Sequence, residues 1–292
     1  MNRSLAVLKS CRPRQWTKNA FVFAAAVFAP KLDDLTADVR SVLAFVAFCL
    51  ASSAVYLIND VQDLDRDRAH PLKKDRPIPK GELPISSAIT WAMVLIASSL
   101  LLSWLIDARF ALIVAAYFGM NLVYSAFLKH EVILDILLIA IGFVLRVQGG
   151  GFAIDVEISN YLWLCTILLA LLLAIGKRRH ELIMIEDAIQ HRAILKEYSP
   201  EMLEQMMAVT TASTLVAYVL YTQDPAAMGG QKGLIWTVPF VIYGIFRYLY
   251  LIHKKDKGGD PAEILFEDWR MSVNILLWLL VAIGLIYFGA ER

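Results

Sequence analysis

Residues 42–67 read VLAFVAFCLASSAVYLINDVQDLDRD, a mostly apolar run from Val42 to Ile58 that passes without a break into an acidic stretch. A run of this length can cross a bilayer as a helix. If the helix continues beyond the membrane, Asn59, Asp63 and Asp67 fall at i, i+4 and i+8 and share one face, with Asp60 beside them. Carboxylates gathered on one face repel one another, so the pattern makes physical sense with a cation among them. An all-oxygen ligand set favours magnesium, which keeps some waters and takes further ligands from substrate phosphates. Asn59, Asp60, Asp63 and Asp67 are therefore the expected metal ligands. Lys73, Lys74, Arg76 and Lys80, which follow at once, suit a phosphate-bearing substrate. The competing reading is a solvated charged loop at a membrane edge. Asn and Asp residues at this spacing on a membrane helix end favour a metal–diphosphate site over it.

The same kind of apolar run recurs along the chain. With 58% hydrophobic and 19% charged residues in 292, the composition lies far from that of soluble domains. The reading is an all-α, polytopic membrane protein with nine transmembrane helices, about 19–30, 41–59, 85–106, 110–128, 132–149, 160–176, 205–222, 234–252 and 272–289. One domain, 1–292, is expected, with loops at about 60–84, 177–204 and 253–271 on one side. Basic residues crowd that side: Arg3, Lys9, Arg12, Arg14 and Lys18, then Arg66 to Lys80, Lys177 to Arg179, and Lys254 to Lys257. The other side holds Lys31, Arg40, Arg109, Lys232 and Arg292. The positive-inside rule then puts the N-terminus in the cytoplasm and the C-terminus outside an inner (plasma) membrane. No cleavable signal is evident. Net charge of +1 gives no reason to expect a nucleic-acid partner. Cys11, Cys49 and Cys165 form no CxxC pattern and read as small apolar fillers.

Further charges stand where lipid would penalise them. Lys18 and Asn19 begin the first expected span and should face a polar cavity, where Lys18 can touch substrate. Tyr124 and Lys129 close the fourth span at the depth of substrate phosphates; an interfacial belt is the alternative. Asp135, inside the fifth span, needs a partner such as Lys129 or the metal. Arg146 lies roughly 16 Å further through the membrane at helical rise, where a structural pairing or a snorkelling head is as reasonable as a substrate role. Gly149-Gly150-Gly151 reads as a turn. Lys177-Arg178-Arg179-His180-Glu181 ends the sixth span as a phosphate-binding candidate, and Arg247 in the eighth snorkels or holds a lipid phosphate. Asp260, Pro261 and Glu263 have the grammar of a helix start. No HExxH, Cys/His metal set or GxSxG elbow appears.

With these residues in hand, the chain resembles the UbiA superfamily of intramembrane transferases over almost its full length. Asn59-Asp60-x-x-Asp63-x-x-x-Asp67 matches that family's first Asp-rich motif. Ordinary members carry a second Asp-rich motif at the end of the sixth span; here Lys177-Arg178-Arg179-His180-Glu181 stands in that place. That departure is similar to the decaprenyl-phosphate phosphoribosyltransferase branch. So are Arg12-Pro13-Arg14-Gln15-Trp16-Thr17-Lys18-Asn19, Tyr124-Ser125 to Lys129, Gly142 to Arg146, and Gly258-Gly259-Asp260-Pro261. The resemblance implies a magnesium-dependent transfer of a 5-phosphoribosyl group from phosphoribosyl pyrophosphate (PRPP) to a polyprenyl phosphate in cell-wall biosynthesis. It implies catalytic roles for Asp60, Asp63 and Asp67. Substrate binding would fall to Lys18, Asn59, Lys73, Arg76, Tyr124, Lys129, Lys177, Arg178, Glu181 and Arg247.

The nucleophile in such a transfer, a lipid phosphate, is already anionic, which fits the lack of a His/Asp base pair. Two rivals remain open on the sequence. A UbiA-type prenyltransferase would use the first motif to ionise an allylic diphosphate and alkylate an aromatic acceptor. A transporter would use Lys18, Asp135, Arg146 and Arg247 to line a path, although no inverted repeat is apparent. Tail length and assembly, including a homo-oligomer, are not set by the residues.

Overall fold

Small residues decide how the long helices meet. In a computed structural model, which describes residues 3–28, 34–71, 73–184, 193–223, 233–255, 264 and 267–288, the chain forms α1 (Arg3–Ser10), a 3₁₀ stretch (Pro13–Phe23), α2 (Ala24–Phe28), α3 (Leu35–Gln62), α4 (Leu64–Ala69), α5 (Ile85–Ile106), α6 (Ala108–Ala126), α7 (Leu134–Ala153), α8 (Asn160–Met184), α9 (Pro200–Gln223), α10 (Val238–Lys254) and α11 (Trp269–Phe288). No strand occurs among the described residues. Eight of these helical segments are long and apolar enough to cross a membrane. The protein is a multi-pass membrane protein. The expected helix start at Asp260, Pro261 and Glu263 lies outside the described residues.

Eight such segments are counted among the described residues, and the expected first span, 19–30, runs into residues outside them. The expected span 19–30 is occupied by the 3₁₀ stretch and the five-residue α2, and residues 29–33 lie outside the described set. A 3₁₀ run of this length is unusual, and polar side chains account for it. Trp16 Nε1 donates to Ser53 Oγ at 3.1 Å, and Asn19 Nδ2 donates to Ser52 Oγ at 3.2 Å and Cys49 Sγ at 3.3 Å. The segment is therefore tied along α3 by its polar residues.

The chain divides into two compact units. The first comprises Met1–Ala24, Asp34–Lys129 and Leu145–Val156. Its centre is α3, which Asp34 caps by accepting from Thr36 N at 2.9 Å. Ala44, Ala47, Ala51 and Ala54 are fully buried, so α5 approaches closely enough for Ser99 Oγ to donate to the Ala47 carbonyl at 2.7 Å. The large residues of α5 point the other way: Leu101, Trp104 and Leu105 are exposed. Small inside and bulky outside is the packing expected of helices in lipid.

Gly149 to Gly151 correct the turn reading, since all three lie inside α7. A Cβ on Gly150 would stand 2.1 Å from the Val22 carbonyl oxygen, and one on Gly149 would stand 2.8 Å from the Phe48 ring. The glycines permit backbone contact; they do not break the helix.

The second unit comprises Ala25–Asp33, His130–Val144 and Glu157–Arg292. In it α8 packs along α9, and α10 packs along α11. Gly176 makes room for Tyr248, whose hydroxyl would lie 2.4 Å from a Cβ there.

Candidate active site

The acidic motif sits where α3 ends. Asp63 is both the last cap of α3 and the first of α4, with φ −94° and ψ 12°, so the helix breaks there. The register survives the break: Asp63 N–H donates to Asn59 O at 2.9 Å and Asp67 N–H to Asp63 O at 2.8 Å. Asn59, Asp63 and Asp67 thus keep their expected spacing along one continuous path. The prolines after it shape a chain of turns. Leu83 N–H closes on the Pro77 carbonyl at 3.0 Å, Gly81 takes φ +82°, and Ile78 and Leu83 are buried beneath. This loop delivers Arg76 back onto the motif.

Each carboxylate of the motif holds a basic side chain. Arg76 Nη1 donates to Asp67 Oδ2 at 2.7 Å and to Asp60 Oδ1 at 3.1 Å. Lys73 Nζ stands 3.9 Å from Asp67. Lys129, just beyond α6, donates to Asp63 Oδ1 at 2.7 Å. Arg12 also donates to Asp60 and lies over the Tyr56 ring, 4.8 Å from its centroid. Asp60 and Asp67 are almost wholly buried, and burying a carboxylate without such a partner would be prohibitive.

The structure therefore brings together Asn59, Asp60, Asp63, Asp67, Lys73, Arg76 and Lys129. Arg12 joins them, although sequence reasoning left it out of the site. Its signal was present in the basic-aromatic stretch at 12–19. Tyr124 is half-buried on the last turn of α6, and Lys18 is half-buried and hydrogen-bonds Gln15.

Asn59 Oδ1 is buried without a hydrogen-bond partner, an open oxygen of the kind a hard cation accepts. The three neighbouring carboxylates add oxygen ligands only. Among the described residues, no group of three or more His, Cys, Asp or Glu is gathered as a cage; the carboxylates are paired with basic side chains. The donor set fits a hard divalent ion in kind.

Residues 19–267 match the UbiA prenyltransferase family. The chain belongs to that family. It is 35% identical to the decaprenyl-phosphate phosphoribosyltransferase of Mycolicibacterium smegmatis, over 97% of this chain and 93% of that protein. It is 34% identical to the Corynebacterium glutamicum protein of the same name, over 98% and 88%. Among solved structures, it is similar to a UbiA homologue from Archaeoglobus fulgidus bound to GPP and Mg2+, with TM-score 0.75, 18% identity and coverage of 96% and 99%. At that identity the likeness speaks for the fold.

Within this UbiA-family chain, the second unit carries its own charged cluster. Arg178, buried near the end of α8, donates to Asp135 Oδ2 at 2.7 Å and to Glu181 Oε2 at 2.8 Å. Tyr198 donates to Asp135 Oδ1 at 2.6 Å and accepts from the Ile133 N–H at 2.7 Å. Burial, followed by the bond to Asp135, pushes the Tyr198 phenol above its ordinary pKa. Asp135 is paired with Arg178, and Lys129, its expected partner, is paired with Asp63. Lys177 is half-buried on α8.

Arg247 on α10 forms a two-point pair with Asp268 at 3.1 and 2.6 Å, and Asp268 also accepts from Met271 N at 2.9 Å at the start of α11. The Arg247 bond holds the Asp268 carboxyl below its usual range. In the first unit, Arg146 is buried against Asn19 Oδ1 at 2.8 Å and Tyr117 Oη at 2.9 Å, a structural pairing.

Proposed function

We propose that this chain transfers a 5-phosphoribosyl group from PRPP to a polyprenyl phosphate, releasing pyrophosphate. The similarity to curated phosphoribosyltransferases over nearly the whole chain carries this reading, and the basic stretch at 177–179 supports it. The whole chain acts as one transferase domain in the plasma membrane, its N-terminus in the cytoplasm by the charge distribution.

Asn59, Asp60, Asp63 and Asp67 would hold magnesium. When bound, the ion neutralises charge that grows on the departing pyrophosphate. Arg76 and Lys73 stand on Asp67 and Lys129 on Asp63; all three would take pyrophosphate oxygens. Fixed cations that meet developing charge lower the barrier most. The anomeric C–O bond breaks with its electron pair leaving on pyrophosphate, and a lipid-phosphate oxygen forms the new bond to an oxocarbenium-like carbon. The attacking oxygen is already anionic and needs no base. Lys18, Tyr124, Lys177 and Arg247 are assigned to the remaining phosphates of sugar and lipid, whereas Arg178 and Glu181, expected there on sequence, are held with Asp135 in a sealed cluster and are assigned to keeping that cluster together.

The deciding assay offers the purified protein labelled PRPP with polyprenyl phosphate, beside prenyl diphosphate with an aromatic acid, each with and without magnesium. Label in the lipid fraction from PRPP is the expected result. Label transferred only from prenyl diphosphate would overturn the reading in favour of an aromatic prenyltransferase.

A further inference from the structure

We propose that Arg12 and Arg76 are exchangeable counter-ions of the acidic motif, holding Asp60 and Asp67 until a divalent metal takes the carboxylates and then pairing with the diphosphate. Metal and diphosphate consequently bind as a couple. The inference rests on the metal–diphosphate part of the proposed function and is independent of which group is transferred.

Three carboxylates, Asp60, Asp63 and Asp67, are matched by Arg12, Arg76, Lys73 and Lys129. A metal arriving alone would displace guanidinium groups from buried carboxylates and leave them without an anion. Stranding a partly buried charge in this way is costly. A diphosphate arriving alone would meet cations already engaged. Arriving together, metal and diphosphate exchange one complete set of pairs for another, and guanidinium-to-phosphate bonds are strong and often two-point.

The geometry also allows the exchange. The Arg12 and Arg76 side chains are 27% and 30% exposed, against 2% for Asp60, so each guanidinium can turn toward an open side. Arg12 stands at φ +53° between α1 and the 3₁₀ stretch, and its contact with the Tyr56 ring gives it an anchor independent of Asp60. Arg178, by contrast, is 1% exposed on a 0% exposed Asp135 and has nowhere to turn. Asn59 Oδ1, already open, marks where a metal can begin to bind before any pair breaks.

The test uses Mn2+ as the metal and inorganic pyrophosphate as the anion on the full-length purified protein. Bound Mn2+ is read by electron paramagnetic resonance, with a protein-free control for the Mn2+–pyrophosphate complex. Pyrophosphate should tighten Mn2+ binding by about tenfold or more, and Mn2+ should tighten pyrophosphate binding by the same factor, as linkage demands. Arg12→Gln should bind Mn2+ alone more tightly than the unmodified chain and show a smaller effect of pyrophosphate. Equal Mn2+ affinity with and without pyrophosphate in the unmodified chain overturns the proposal, and that result needs no variant to fold. So does weaker Mn2+ binding by folded Arg12→Gln. Coupling without label transfer from PRPP would remove the phosphoribosyl reading alone; label transfer without coupling would remove this inference alone.

Discussion

Arg178 donates to Asp135 through Nε at 2.7 Å, and the two side chains are 1% and 0% exposed. Two charges sealed at this depth help each other mainly by avoiding a worse state, in which one remains alone. Asp135→Ala should therefore destabilise the protein by about 3–5 kcal/mol, whereas Asp135→Leu combined with Arg178→Met should recover most of the loss. Thermal unfolding in detergent checks both. A double variant as unstable as the single one would mean the pair contributes more than mutual neutralisation.

The same cluster bears on Ile133. Its φ of +72° is a region that β-branched residues avoid, and its N–H is held by the Tyr198 hydroxyl at 2.7 Å. The side chain is substantially exposed, so little packing is lost by removing it. Ile133→Gly should be neutral or raise the thermal midpoint, since strain of this kind costs about 1–3 kcal/mol. Tyr198→Phe should lower stability by about 1–3 kcal/mol, because it removes one donor to Asp135 and the acceptor of the Ile133 N–H. A clear loss of stability in Ile133→Gly would show that the backbone there is not strained.

The fold class and the acidic motif were legible because each depends on local pattern. Apolar runs report membrane helices, and Asn59, Asp63 and Asp67 keep helical spacing even across the break at Asp63. What the sequence concealed was partnership at a distance. Arg12 reaches Asp60 across 48 positions and Arg178 reaches Asp135 across 43. Nothing in the spacing of a basic stretch says which acid it will meet. Asp268, without an assigned role on sequence, proves to hold Arg247 for the same reason. The glycines at 149–151 misled in a different way: flexible and tightly packed glycines look alike until the neighbouring Val22 backbone is known.

Gly150 gives a direct measure of that packing. A methyl group there would meet a backbone oxygen at 2.1 Å, whereas one on Gly119 of α6 would meet nothing within 4 Å. Gly119→Ala should therefore be neutral or stabilising by up to about 1 kcal/mol, the helix preference for alanine. Gly150→Ala must push α7 from its neighbour, at a cost of about 1–3 kcal/mol or more. Size-exclusion profiles and thermal midpoints of the two variants should differ in that order. Equal behaviour would place the glycines among the merely tolerated.

Asp63 separates function from stability. Its carboxylate is 31% exposed and its partner Lys129 is 17% exposed, so the pair is far less sealed than Asp135 with Arg178. Partly solvated ion pairs contribute about 1 kcal/mol or less, and Asp63→Asn should leave the thermal midpoint nearly unchanged. If Asp63 is a metal ligand, the same variant should lose at least about 10²-fold in turnover, the scale of removing one electrostatic stabiliser from a preorganised site. Raising magnesium should recover part of that loss, because a weakened site fills at higher metal concentration. Retained turnover in Asp63→Asn would remove this residue from the metal set and leave Lys129 as its reason for being there.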